Sequence, residues 1–384
     1  MNSKIISLYK NKLSDISKLS QVRNLVTTRR DNDLNVIRNK KQLISFSCND
    51  YLGLSKNKEV INESIKATKK YGSGSGASRL VSGNNPLYEE LENLLAKYKK
   101  SESACVFGSG FLTNAGIIPA LTSSKDLLLY DELSHSSTNI GLKLSNAKSI
   151  KFKHNDANHL ESLLKKHRNN FFHCFIFTEG VFSMDGDRGK IRELAMLANK
   201  YDASIILDDA HGFGVLGQGR GSLHEFNPVP EVLIQMGTLS KAIGSYGGFV
   251  TAPKTIIKLL HSKARSLIYT TGLPPGTLAA SLKALKIIIK KPDLTKIPYE
   301  HAKLFCKNAG LPTPESSIVS KILYDERHTI KASKIFENHG YYIGAIRPPT
   351  VPKNTSRLRF TFSSVHKKKD IKKLAQVSRN LFKD

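Results

Sequence analysis

The chain has 384 residues, 40 % of them apolar and 24 % charged, a composition that excludes a largely disordered, fibrous or membrane-spanning protein. At about 150 residues per domain it predicts two or three domains, with a core large enough to need no disulfide or metal staple. Lys and Arg number 59 against 32 Asp and Glu, giving a net charge of +27.

The excess of charge is spread along the chain. The first 41 residues hold ten basic and three acidic residues, and the stretch from His366 holds seven and two. No Arg-rich helix, aromatic RNA-binding strand or zinc finger accompanies it, so nucleic acid is not the expected partner. Compositional bias is the plainest reading of this charge, with an acidic substrate or carrier as the alternative. No run reaches the roughly 18 apolar residues needed to cross a bilayer, and the first ten residues do not read as a secretory signal. Cys48, Cys105, Cys174 and Cys306 are widely spaced and form no C-x-x-C pair. They predict free thiols, no structural zinc and a reducing, cytoplasmic setting.

In chain order, residues 1–45 read as a polar N-terminal arm with a weak helical stripe at Leu8, Ile16 and Leu19. Asn85-Pro86 is a helix start, a capping residue followed by proline at the first helical position, and Leu87, Leu91, Leu94, Leu95 and Tyr98 form one face. Apolar runs then recur at Ala104–Phe107, Leu127–Tyr130, Phe171–Phe177, Ile205–Leu207, Val232–Met236 and Gly248–Ala252. Helical patterns such as Ile191–Tyr201 and Pro253–Arg265 lie between several of them. Buried strands alternating with helices predict an α/β fold with a mostly parallel, doubly wound sheet in a large domain over 46–285. After the helix Pro275–Lys290 the pattern changes. A helix around Lys331–His339, an alternating strand at Leu358, Phe360 and Phe362, and a terminal helix with Ile371, Leu374 and Leu381 predict a smaller α+β domain over 286–384, packed with the N-terminal arm.

Four polar, glycine-rich segments follow predicted strands, and strand carboxyl ends are where open α/β sheets bind ligands. Phe107-Gly-Ser-Gly-Phe-Leu-Thr-Asn114 is either a tight turn or a helix start offering free amides to a phosphate. Thr178-Glu-Gly-Val-Phe-Ser-Met-Asp-Gly-Asp187 holds Ser183 and Asp185, which suit a ligand or a turn equally. Ile205-Ile-Leu-Asp-Asp-Ala-His-Gly212 puts a carboxylate at a strand end with histidine three positions on, but no further ligand has metal-site spacing. Gly212 to Gly217 fits G-x-G-x-x-G, yet the Gly217-Gln-Gly-Arg-Gly221 that follows cannot open a helix, so a dinucleotide fingerprint is rejected. The last segment, Met236-Gly-Thr-Leu-Ser-Lys-Ala-Ile-Gly-Ser-Tyr-Gly-Gly248, places Lys241 in a Gly/Ser loop after a buried strand. A strand-end Asp-x-x-His followed by a strand ending in Thr-x-x-Lys suits pyridoxal-phosphate chemistry. The lysine forms a Schiff base, the aspartate holds the pyridinium N–H, and a glycine-rich helix start takes the phosphate.

With Phe46-Ser-Cys-Asn-Asp-Tyr-Leu-Gly-Leu54, Ser78-Arg-Leu-Val-Ser-Gly-Asn84, Glu179-Gly-Val-Phe-Ser-Met-Asp-Gly186 and the Lys241 loop, the chain resembles the α-oxoamine synthases from about Val22 onward. These are fold-type I pyridoxal-phosphate enzymes. The resemblance implies a seven-stranded large-domain sheet and Lys241 as the covalent anchor. It implies Asp208 on the ring nitrogen, His211 at the phenolic oxygen and His135 stacked on the ring. Gly110, Phe111, Ser183 and Thr238 would also hold the cofactor. Thr271 would reach the phosphate of a neighbouring subunit, which implies a homodimer with shared sites.

Asn49 would lie near the reacting centre, Arg359 would grip the amino-acid carboxylate, and Arg23 and Thr350 match substrate-binding positions. Ala345-Ile-Arg-Pro-Pro-Thr-Val-Pro352 and Arg357-Leu-Arg359 point within the family to the member that joins L-alanine to a pimeloyl thioester, on CoA or a carrier protein. Arg347 is then available to the distal carboxyl group. Members that use glycine or serine share most of the other motifs and are the alternative.

Overall fold

The computed structural model describes residues 3–32 and 34–382. The chain divides into two compact units, Asn49–Ser183 with Asp187–Pro298, and Met1–Cys48 with Met184–Gly186 and Tyr299–Asp384; residues 1, 2, 33, 383 and 384 lie outside the described residues.

The larger unit is built on a seven-stranded sheet. Its spatial order is Ser103–Phe107, Gly248–Ala252, Ile234–Thr238, Ser204–Asp208, Cys174–Glu179, Leu127–Asp131, Lys148–Phe152. Six strands run in one direction, and Gly248–Ala252 is antiparallel to both its neighbours. Each central strand is apolar on both faces because helices cover both. Leu128 and Ile206 face one layer with Ile117, Leu260 and Leu267. Their neighbours Leu127, Leu129, Ile205 and Leu207 face the other with Leu160, Ile191 and Leu194, as the two-residue period of a strand requires. The run Phe171–Phe177 becomes a strand only from Cys174. Lys148–Phe152 escapes the apolar pattern because it is an edge strand with a mostly half-exposed face.

Four of the parallel strands end on polar residues. Asp131, Glu179, Asp208 and Thr238 are each the last residue of their strand. Register then places Glu179 directly beside Asp208. The expected helix start at Asn85-Pro86 is present, with the Asn85 side chain accepting from the Leu87 amide at 3.0 Å.

The smaller unit holds two sheets. One has the order Thr28–Asn32, Asn35–Arg38, Lys41–Ser45, Tyr341–Tyr342, and the other Ile318–Tyr324, Ser356–Thr361, Gly344–Ile346. Its core gathers Phe46, Phe305, Phe336, Phe360, Phe362, Ile371 and Leu374. The Phe46 ring stacks on His366 at 3.9 Å. The predicted strand around Phe360 and the terminal helix, Lys368–Leu381, both contribute to it.

The unit boundaries differ from the sequence-based ones at 45/46 and 285/286. The arm packs with the smaller unit: Ile44 pairs with Tyr341, and the Thr361 amide donates to the Phe46 carbonyl. The helix Pro275–Lys290 buries Leu278, Leu282, Leu285 and Ile288 and belongs wholly to the larger unit.

Candidate active site

The carboxyl edge of the large sheet collects most of the expected site residues. Asp208 ends its strand nearly buried. One carboxylate oxygen accepts from Asn114 Nδ2 at 2.7 Å and the other from the Ala210 amide at 3.0 Å. Asn114 lies inside the helix Gly110–Leu121, and its amide also reaches the Ser137 hydroxyl at 3.0 Å. The orientation of the carboxylate is therefore fixed from two elements.

Three residues after Asp208, the His211 ring joins two further groups. Its Nε2 lies 2.9 Å from Lys241 Nζ and its Nδ1 lies 2.7 Å from the Tyr51 hydroxyl. Tyr51 is fully buried. The sequence pairing of strand-end Asp-x-x-His with the Lys241 loop thus becomes a physical contact.

His135 caps the helix Ser136–Leu144, its Nδ1 lying 2.7 Å from the Ser137 hydroxyl. Its backbone amide donates to Glu179 Oε1 at 2.5 Å. Burial pushes the His135 pKa down; the Asp208 charge raises it and the Lys241 charge lowers it further. The imidazole is therefore neutral at pH 7. Glu179 is held well above the usual carboxyl range by burial first and the Asp208 charge second. Both carboxyl groups are buried at the ends of adjacent strands, and Glu179 is the one whose pKa is raised.

The helix start at Gly110 sits against the end of the neighbouring strand. A Cβ on Gly110 would lie 3.5 Å from Thr238 Oγ1, and one on Gly248 would come within 2.7 Å of the Gly110 amide nitrogen. Glycine at 248 leaves that helix start uncovered, as an anion site needs. Phe111, the next residue, is exposed. The Thr238 hydroxyl donates to the Gly247 carbonyl at 2.8 Å and also lies 2.8 Å from Ser240 Oγ. Ser183 is half-buried in the turn after the Cys174–Glu179 strand. Asn49 accepts through its carbonyl from the Tyr51 amide at 2.8 Å. Thr271 is exposed and bridges to Ser78.

The remaining expected residues belong to the smaller unit. Arg23 Nη2 donates to the Thr350 hydroxyl at 3.1 Å and to the carbonyls of Arg347 and Pro348 at 3.3 Å. Arg347 in turn donates to the Ser20 carbonyl at 2.6 Å. The structure thus brings Arg23, Arg347 and Thr350 together. Arg359 stands apart from that group, buried on the strand Ser356–Thr361, with Nη1 on Thr361 Oγ1 at 3.1 Å.

An amine, a fixed carboxylate, a neutral imidazole and an open helix start are the donor set that pyridoxal phosphate requires, so the residues present fit it. Asn114, Tyr51 and Glu179 were not singled out from sequence. All three lie within quoted segments, but only tertiary contact shows what each holds.

Asp209, next to Asp208, points the other way. Its carboxylate accepts from the Ser222 amide at 3.1 Å and the Ser222 hydroxyl at 2.7 Å, and it pairs with Lys99 at 3.6 Å. A Cβ on Gly221 would fall 1.8 Å from Asp209 Oδ2, and Gly221 has φ of 107°, so only glycine closes this turn. Both charges of the pair are buried. Burial pushes Lys99 down and Asp209 up to about 6, each opposed by the other's charge. Lys99→Met should cost about 3–5 kcal/mol in denaturant unfolding at pH 8. The cost should shrink at pH 5, where the Asp209 carboxyl takes up a proton. An equal loss at both pH values would contradict the pairing.

The profile of the family described as aminotransferase class I and II matches residues 41–377. The 8-amino-7-oxononanoate synthase of Methylocella silvestris is 48 % identical over 350 residues, covering 91 % of this chain and 100 % of that protein. The enzyme of the same name from Granulibacter bethesdensis is 47 % identical over 373 residues, 97 % of each chain. The structure of serine palmitoyltransferase from S. paucimobilis, solved with bound PLP and myriocin, matches with a TM-score of 0.91 at 25 % identity, covering 98 % of this chain and 97 % of that one. At these identities and coverages, the chain belongs to the class I and II aminotransferase family, in its α-oxoamine synthase branch together with the 8-amino-7-oxononanoate synthases.

Proposed function

We propose that this chain is a pyridoxal-phosphate-dependent acyltransferase that condenses L-alanine with a pimeloyl thioester. The products are 8-amino-7-oxononanoate, CO₂ and the free thiol of CoA or a carrier protein, a step of biotin biosynthesis. The observation that carries the reading is the contact of Lys241 Nζ with His211 at 2.9 Å, three residues beyond the strand-end Asp208. The names of relatives 47–48 % identical over nine-tenths of the chain or more support the product.

Pyridoxal phosphate, when bound, supplies a sink for the electron pair left on the amino-acid α-carbon. Lys241 would anchor it through Nζ, and as a free amine it is the base placed to take the α-proton. Asp208 would hold a proton on the ring nitrogen, with Asn114 and the Ala210 amide keeping its oxygens aimed. His211 would contact the phenolic oxygen, with Tyr51 fixing the ring that does so. His135, neutral and held at its helix cap, would cover the ring face. The Gly110 and Phe111 amides, Ser183 and Thr238 would hold the phosphate end. Arg359 suits the amino-acid carboxylate because a guanidinium binds it in a fork. Asn49 would lie near the reacting carbon. Arg23, Arg347 and Thr350 would serve the acyl donor, Arg347 through its distal carboxyl group.

The reading includes a homodimer in which Thr271 serves the partner's phosphate. The exposed Leu80 and Val81, in the turn bridged to Thr271, support a second copy there. A cytoplasmic setting is supported by four free cysteines. Among the described residues no helix is long and apolar enough to cross a membrane.

Thiol release from pimeloyl-CoA, measured with L-alanine, glycine and L-serine in turn, tests the function. L-alanine should give the highest kcat/KM and a product of the mass of 8-amino-7-oxononanoate. Faster turnover with glycine or serine would assign another member of the branch. Mixing Lys241→Ala with Thr271→Ala subunits should restore part of the activity, since one hybrid site receives both intact residues. Verified heterodimers with no recovery would argue against shared sites.

A further inference from the structure

A second, partly buried network links two turns of the site, and no step above uses it. His154, just after the edge strand Lys148–Phe152, puts Nδ1 2.9 Å from Asp131 Oδ1 and Nε2 2.8 Å from Asp187 Oδ2. Both carboxylates organise turns that carry site residues. Asp131 Oδ1 also accepts from the Leu133 amide at 2.9 Å, and the Asp131 carbonyl accepts from Ser134 at 3.0 Å. That is the turn presenting His135. Asp187 closes the other turn, its carbonyl accepting from the Phe182 amide at 3.0 Å next to Ser183.

The Phe182 ring, itself buried, stands edge-on to His154 with centroids 4.4 Å apart. Asn155 repeats the link, its amide on Asp131 Oδ2 at 2.9 Å and its side chain on Asp187 Oδ2 at 2.7 Å and the Arg188 carbonyl at 3.0 Å. Burial lowers the His154 pKa, but the two carboxylates outweigh it and hold the ring protonated, at about 10. An imidazolium donates from both nitrogens, which is what two carboxylate acceptors on opposite sides demand.

We propose that His154 is a positioning residue for cofactor binding, its ring clamping the turn that presents His135 to the turn that presents Ser183. The proposal rests on the reading of this site as the pyridoxal-phosphate site. It predicts that weakening the clamp loosens both turns together and lowers cofactor affinity, while the sheet beneath is left intact.

The test titrates pyridoxal phosphate into the full-length cofactor-free protein and into His154→Gln and Asp187→Asn variants. Amide hydrogen exchange is followed on the same samples. Each variant should raise Kd about tenfold, the scale of one charge-assisted hydrogen bond. Exchange should quicken at residues 133–135 and 181–183 and stay unchanged in the strand Ser204–Asp208. In a Ser183→Ala background, His154→Gln should raise Kd by clearly less than tenfold, because part of its effect runs through Ser183. Should His154→Gln fail to fold, Asp187→Asn decides. A folded variant with wild-type Kd and wild-type exchange would overturn the proposal, as would a full additive loss in the Ser183→Ala background. If the wild-type protein takes up no pyridoxal phosphate, the cofactor reading fails, and the exchange comparison still decides whether His154 clamps the two turns.

Discussion

Parallel pairing of Cys174–Glu179 with Ser204–Asp208 sets Glu179 and Asp208 side by side at the buried carboxyl edge of the sheet. Burial, and after it the neighbouring Asp208, pushes the Glu179 carboxyl well above the usual carboxylate range. Asn114 and the Ala210 amide both donate to Asp208 and fix the direction of its carboxylate. Glu179, fully enclosed, fixes the His135 amide. One negative charge of fixed direction is what a protonated pyridine nitrogen needs. The neutrality of His135 and the placing of Lys241 against His211 are arranged around it.

The second aspartate of the pair shows how the charge is kept single. Asp209 follows Asp208 in sequence but turns into the layer below, where Lys99 and Ser222 absorb its charge. Three glycines, 180, 212 and 221, leave room for that carboxylate, each with a Cβ position within 2.3 Å of one of its oxygens. The neighbouring acid is thereby separated from the chemistry, and the strand end exposes one carboxylate to the ligand side.

Much of this was legible in the sequence, for reasons that are local. Strands buried on both faces announce themselves as apolar runs, and their ends are marked by the switch to glycine and polar residues. Asp208, His211, Thr238 and Lys241 all fall at such switches. The Gly212–Gly217 motif was rightly set aside, since Gln218 with φ of 56° and a short 3₁₀ turn follow it rather than a helix. What could not be read depends on contacts between distant segments. Asn114 meets Asp208 across 94 positions, and Tyr51 meets His211 across 160; neither pairing leaves a periodic trace. The strand Lys148–Phe152 was missed because an edge strand has one partner and needs no continuous apolar run. That the N-terminal arm belongs with the smaller unit rests on the pairing of Ile44 with Tyr341, which brings distant parts of the chain together.

The central claim is that one lysine among many carries the cofactor. Reduction of the purified, cofactor-loaded protein with borohydride, followed by proteolysis and mass spectrometry, reads that claim out residue by residue. The account predicts a pyridoxyl-phosphate label on the peptide containing Lys241 at near one equivalent per chain, with surface lysines such as Lys4 and Lys373 unlabelled. A label spread over surface lysines, or concentrated on any residue other than Lys241, would contradict it.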